Sequence, residues 1–356
     1  MRKKLFIPGP VEVRADVLEK MSQPMIGHRS KDASDLQRQI SDKIRQLLYT
    51  EEEVLLSTSS GSGLMEGAIR TCTAKRAAVF SIGAFGKRWY EMAIANNVPA
   101  DIYETPMGLA LSANEIDKIL ATGKYDLLTV THNETSTGVM NPLDELAPVI
   151  AKYEDIIWCV DAVSSVGGSK IEVDKLGIDI CITSTQKALG LPPGMAICTF
   201  SKKAINRAEK VPYRGFYLDL LALYKYVRKR NYQYPSTPSL SHMFALNYQL
   251  DLILAEGLDK RFDRHVQMAE YVRDWARVKF ALFADEGCLS NTLTAIKNTR
   301  NIDVANLNKE LGVRGFQISN GYGSLKDKTF RIAHMADCSL GEIEELISTI
   351  NDILSI

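Results

Sequence analysis

Three short strings bring together residue types that could do chemistry. Ser57-Thr58-Ser59-Ser60-Gly61-Ser62-Gly63-Leu64-Met65-Glu66-Gly67 follows a strand-like apolar run and opens a helix-like one. Glycines there let a ligand approach the backbone, hydroxyls donate hydrogen bonds, and a helix N-terminus favours an anion such as phosphate. Trp158-Cys159-Val160-Asp161 puts an acid at the end of a buried-strand signal, where open α/β sheets carry their sites. Ile182-Thr183-Ser184-Thr185-Gln186-Lys187 puts a lysine just past another, and lysine is seldom buried without a reason. Read singly, the first is an ordinary Ser/Gly turn and the other two are solvated loop charges. The spacing of Gly61, Gly63 and Gly67 also resembles a dinucleotide fingerprint, which expects an acid about 20 residues further on. No Asp or Glu occurs from Ala68 to Tyr90.

Read together, the order is phosphate loop, strand-end Asp, strand-end Lys. Pyridoxal 5′-phosphate needs these three things: a lysine for its aldehyde, a carboxylate for its ring nitrogen, and a helix N-terminus for its phosphate. The acid keeps the ring nitrogen protonated, so the ring can draw electrons from a substrate carbon.

Elements that could position such a site are visible around it. Apolar, β-rich runs occur at Val54–Leu56, Ala78–Ile82, Asp101–Tyr103, Leu127–Thr131, Ile156–Val160, Ile178–Thr183 and Met195–Phe200. Helix-like stretches lie between several of them: Arg88–Asn96, Ser112–Leu120 with a capping box of Ser112 and Glu115, and Pro142–Tyr153. Strands alternating with helices predict a largely parallel sheet, and runs with little polar alternation predict helices on both of its faces. After Lys202 the pattern changes. Tyr213–Arg230 is aromatic and basic without a clear period, and Ser239–Glu256 and Leu258–Ala281 read as long helices. The end reads as α+β, with strands at Thr292–Ile296, Gly315–Ile318 and Phe330–Ala333. Its final helix, Leu340–Leu354, is capped by Ser339 and Glu342. The expected fold is α/β. A large domain over 1–256, including an N-terminal arm, holds the mostly parallel sheet, and a smaller α+β domain spans 257–356.

Composition excludes several functions. The 356 residues are 46% apolar and 24% charged, as in soluble globular proteins. Lys plus Arg and Asp plus Glu are 43 each, a balance that argues against a general nucleic-acid binder. The six cysteines form no CxxC pair, so neither a zinc site nor a redox motif is signalled and no metal is expected. Cys159, Cys181 and Cys198 sit in apolar runs as small core residues, and a reducing cytoplasm is the simplest home. The basic start meets Pro8-Gly9-Pro10 too soon for a signal peptide. No apolar stretch approaches the ~18 residues of a membrane span.

With those residues in view, the chain resembles the fold-type I, class V aminotransferases of the alanine–glyoxylate and serine–pyruvate branch. The likeness runs through Phe6-Ile7-Pro8-Gly9-Pro10, Gly27-His28-Arg29-Ser30, the loop Ser59–Gly63, Thr131-His132-Asn133-Glu134-Thr135-Ser136-Thr137-Gly138-Val139, Val160–Gly168, Ser184–Leu189 and Phe330-Arg331-Ile332-Ala333-His334-Met335. It implies that Lys187 bonds the cofactor aldehyde and Asp161 pairs with the pyridinium. Ser62 and Gly63 would bind the phosphate, with Gln186 at the same end. Phe85 would lie on the ring face and Thr135 would bond the phenolic oxygen. Tyr234 and Thr237 would reach the phosphate of a neighbouring subunit, implying a homodimer with shared sites. Arg331 would clamp the substrate α-carboxylate. Neither His28 nor His334 is expected in catalysis. Arg228-Lys229-Arg230 reads as a solvated face, or as a contact for an anionic substrate. The implied reaction moves an amino group from alanine or serine to glyoxylate or pyruvate. Its rivals are transaminases of phosphoserine or 2-aminoethylphosphonate, a cysteine-desulfurase-like lyase and a nicotinamide dehydrogenase. The aminoethylphosphonate branch usually has Asn where this chain has Gln186, and the desulfurases usually have His there.

Overall fold

The computed structural model describes residues 3–356. Seven strands form the large sheet, in the order 53–57, 196–200, 180–184, 157–161, 127–131, 77–81 and 100–104. All run parallel except Ala196–Phe200, which is antiparallel to both of its neighbours. Alternate residues of each strand feed different cores. Trp158 and Val160 face a layer that includes Ile40, Ile44 and Leu246. Ile157 and Cys159 face Leu64, Trp89 and Leu223 on the other side. Burial of both faces is why these strands read as unbroken apolar runs. Cys159, Cys181 and Cys198 are all core residues, as the sequence predicts.

The capping box expected at Ser112 is absent: the helix Ala113–Leu120 has no side-chain cap bond. Ser112 and Glu115 are both exposed, so water can serve the first-turn amides. The box at Ser339 and Glu342 is present. Within the aperiodic 213–230 stretch, Leu220–Lys229 is helical, capped by the Asp219 carboxylate on the Leu221 amide.

The second sheet orders its strands 4–6, 316–320, 329–333, 293–297 and 281–282. Its apolar face packs Phe6, Phe330 and Ile332 against Trp275, Ile343 and Ile347 from the helices Leu258–Lys279 and Leu340–Leu354. The arm that the sequence groups with the large unit thus supplies Lys4–Phe6, paired in parallel with Phe316–Ile318.

Candidate active site

Six parallel strands of the large sheet end on one edge, and the chain beyond five of them builds the site. Ser57 leads into the loop before the helix Gly61–Cys72, and Ser81 into the helix Ala84–Ala95. Thr131 leads into Asn133 and Thr135, Asp161 is itself a strand end, and Ser184 leads to Lys187. One cavity is lined by Ser60, Gly61, Ser62, Phe85, Arg88, Asn133, Thr135, Asp161, Ser164 and Lys187. Residues scattered over 128 positions meet there because parallel strands bring their C-terminal ends together.

Asp161 is 5% exposed, and burial pushes its carboxyl up to about 6. The Val163 amide donates to its Oδ1 at 2.9 Å, and the fields of Lys187 and Arg88 offset part of the burial cost. Burial also draws the Lys187 amine down to about 8, against the opposing pull of Asp161. The Lys187 amine donates to the Pro8 carbonyl, and the Val11 amide donates to the Gln186 carbonyl at 3.2 Å. The arm therefore lies across the lysine. Gly9, at φ +88°, makes that approach possible: a Cβ there would come 2.6 Å from Lys187 Cδ.

A phosphate-sized anion has a place at the first turn of Gly61–Cys72, beside the Arg88 guanidinium, whose Nη1 lies 3.4 Å from Ser62 Oγ. The Gly63 amide is turned back to the Ser60 carbonyl at 2.9 Å. That leaves the first-turn amides of Gly61 and Ser62, two residues and one residue before Gly63, for an anion. Across the cavity, Asp161 offers a carboxylate with one amide partner, and Asn133 Oδ1 is buried with no partner among the described residues. An anion-binding end, a reactive amine and a buried carboxylate match the phosphate, aldehyde and pyridine nitrogen of pyridoxal phosphate.

Behind the lining, Thr135 is held by Ser164 and by Arg331 of the second sheet. Thr135 Oγ1 lies 2.6 Å from Ser164 Oγ, and the Thr135 carbonyl accepts from Arg331 Nη1 at 3.0 Å. Arg331 Nε donates to the Asn320 carbonyl at 3.0 Å. The two carbonyls fix the guanidinium plane and leave Nη2 for a ligand. Phe85 is held from below: its amide and that of Gly86 each donate to Glu134 Oε2 at 3.0 Å. Burial raises the Glu134 carboxyl and these hydrogen bonds oppose the rise.

Gly63, Gln186, Tyr234, Thr237 and Arg331 do not line the cavity of their own chain. Gln186 Oε1 is buried with no partner among the described residues. The Tyr234 hydroxyl accepts from the Thr58 amide at 3.1 Å, and its carbonyl accepts from Arg29. Arg228 pairs with Glu53, the first residue of its strand, at the sheet edge opposite the cavity. Cys338 does not line the cavity either, so it offers no desulfurase-like thiol there. Arg88, Glu134, Asn133 and Ser164 are site residues that sequence reasoning missed. Glu134 and Asn133 lay within a string singled out for Thr135 alone.

A doubly covered, mostly parallel sheet with Lys187, Asp161 and a helix N-terminus around one cavity at its C-terminal edge defines a fold-type I pyridoxal-phosphate enzyme. The sequence profile of the family described as "Aminotransferase class-V" matches residues 15–331. The chain belongs to that family, and it is a pyridoxal-phosphate-dependent transaminase. An uncharacterized aminotransferase of Methanocaldococcus jannaschii is 38% identical over 351 residues, covering 96% of this chain and 90% of the relative. The L-aspartate–glyoxylate aminotransferase of Paracoccus denitrificans is 31% identical, covering 93% and 86%. The crystal structure of an alanine–glyoxylate aminotransferase from Nostoc sp. aligns with a TM-score of 0.93 at 26% identity, over 99% of this chain and 96% of that one.

Proposed function

We propose that the protein moves an amino group from a small amino acid, alanine or serine, to a small 2-oxo acid, glyoxylate or pyruvate, at a site centred on Lys187 and Asp161. The observation that carries the reading is that these two residues, from adjacent strand ends, share one cavity with the first turn of Gly61–Cys72. The bound cofactor supplies an aldehyde that takes the amino group and a ring that takes up the electrons of the substrate Cα–H bond. Lys187 would hold the cofactor and, with its amine free, would serve as general base toward the substrate Cα proton. A pKa drawn down to about 8 leaves a usable fraction of its amine unprotonated near neutral pH.

Asp161 holds the proton on the ring nitrogen. Ser62, with the Gly61 amide and Arg88, holds the phosphate, and Gly63 keeps the first turn open. Gln186 supports the phosphate end from outside the cavity wall. Phe85 covers one face of the ring, and Thr135 bonds its phenolic oxygen. Arg331 takes the α-carboxylate of either substrate. Two copies form a dimer in which Tyr234 and Thr237 reach the partner's phosphate site, and the cytoplasm is the expected compartment. The names of the Nostoc and Paracoccus relatives support glyoxylate as acceptor.

The test has two parts. Borohydride reduction of the holoenzyme followed by peptide mapping should label Lys187, and a label on another lysine sinks the site. A panel of alanine, serine, aspartate and phosphoserine against glyoxylate, pyruvate and 2-oxoglutarate should give its highest kcat/KM for alanine or serine with glyoxylate or pyruvate. A preference for phosphoserine or 2-oxoglutarate would replace the proposed substrates.

A further inference from the structure

We propose that Tyr322 sets the size of the substrate side chain. Its ring closes the catalytic cavity off from a larger cavity behind it, and so restricts the site to small amino and 2-oxo acids. This rests on the substrate class proposed above and supplies a physical cause for it.

The larger cavity measures about 610 Å³, and its lining includes Ala84, Lys87, Glu104, Met107, Ser136 and Tyr322. Ala84 and Ser136 are the chain neighbours of Phe85 and Thr135, which face the catalytic cavity. Between the two spaces stands a partition of two rings, Phe85 of the catalytic cavity and Tyr322 of the larger one, with centroids 5.4 Å apart. Arg88 Nη2 lies 3.3 Å from the Tyr322 hydroxyl, and the Arg331 guanidinium lies 5.6 Å from the Tyr322 ring centroid. A carboxylate paired with Arg331 is thus held against Tyr322, and any longer side chain on the same molecule meets the partition. Behind it the walls are mixed: Ala84, Pro106, Met107 and Leu325 are apolar, while Lys87 and Glu104 bring one charge of each sign, so an uncharged side chain probes the space without probing charge. Tyr322 stands on the loop between the strands 316–320 and 329–333 and is 38% exposed, so shortening it removes little of the core.

The experiment compares native, Tyr322→Phe and Tyr322→Ala holoenzymes with L-alanine and L-leucine as donors and glyoxylate as acceptor. Opening the partition should raise the leucine-to-alanine ratio of kcat/KM by on the order of 10-fold or more in Tyr322→Ala, the scale of a few methylenes gaining or losing a pocket. Tyr322→Phe keeps the ring, and the ratio should stay within about 3-fold of native. Filling the space behind, with Met107→Trp added to Tyr322→Ala, should cancel the gain. A ratio unchanged in Tyr322→Ala, or a gain that survives Met107→Trp, overturns the proposal. Tyr322→Val replaces the alanine variant if that chain does not fold.

Calorimetric binding of two non-reacting acids gives a readout free of turnover. 4-Methylpentanoate should gain on propanoate in Tyr322→Ala, and equal affinities relative to native would also overturn the partition. If native enzyme accepts no small donor, the proposed substrates fail, while the binding comparison still judges Tyr322.

Discussion

At the scale of single residues, burial pushes the ionisable groups of the site toward their neutral forms. Asp161 is the clearest case. Its folded pKa of about 6 lies above the roughly 3.9 of an unfolded chain. The stability linked to that group is therefore present below about pH 4 and lost as pH rises through 6, by up to about 3 kcal/mol. Asp161→Asn should abolish most of the rate, because an amide cannot hold the ring proton. The same variant should lack that pH-dependent loss in urea titrations of the cofactor-free protein between pH 4 and 7. Equal slopes in both chains would mean that the carboxylate is not desolvated as the structure shows.

Arg331 makes a second residue-scale prediction. Removing one partner of a buried, hydrogen-bonded charge pair costs ~2–5 kcal/mol, so Arg331→Ala should lower kcat/KM roughly 30- to 5,000-fold while cofactor absorbance stays near native. Arg331→Lys should not restore it, since a point charge reproduces neither the two carbonyl bonds nor the fork. A kcat/KM within a few-fold of native in a folded Arg331→Ala chain would place the carboxylate elsewhere.

At the scale of elements, the loops beyond the strand ends carry the function, and one buried acid ties two of them together. Glu134 accepts from the first-turn amides of the helix Ala84–Ala95 and from the amide and hydroxyl of Ser136. It is both an N-terminal anion for that helix and the post on which Phe85 is set. Glu134→Ala strands three amides in a buried space and should cost about 3–5 kcal/mol in urea unfolding. Glu134→Gln keeps one acceptor oxygen and should cost less, about 1–3 kcal/mol. If both variants match native stability, the acid does not organise the helix start.

At the scale of the molecule, the helix Leu258–Lys279 is tied to the loops of the large sheet through Arg261, which is 1% exposed. It donates to the carbonyls of Gly167 and Ala188, in the loops following Asp161 and Lys187, and pairs with Glu256 and Asp337. Arg261→Met leaves Asp337 and two buried carbonyls without their partner, while Glu256 keeps Arg264. The substitution should cost about 3–5 kcal/mol, read as a lower urea midpoint. An unchanged midpoint would show that the helix and those loops hold each other by apolar packing alone. Association of two copies is tested by mixing Lys187→Ala with Thr237→Ala chains. Shared sites predict partial recovery of activity, because each heterodimer has one site free of both lesions. Proven subunit exchange without recovery would assign each cofactor to a single chain.

Much of this was written in local sequence. The seven large-sheet strands were legible because burial on both faces removes polar residues from them. Asp161 and Lys187 were legible because ionisable residues at the ends of such runs stand out. Chain order then supplied the cofactor. What tertiary structure alone decided lies between distant segments. Arg88 beside Ser62, Tyr322 against Phe85 and Pro8 over Lys187 join positions 26, 237 and 179 residues apart. No periodicity or motif in one segment records which loop will face it, since that depends on strand order in the sheet. The free amides at Gly61 and Ser62, rather than Gly63, came from the helix's own first turn, whose hydrogen bonding is set by where the helix begins. Sequence specified which groups the chain carries and which elements hold them. The sheet's parallel order, with its C-terminal ends on one edge, decided which of those groups meet.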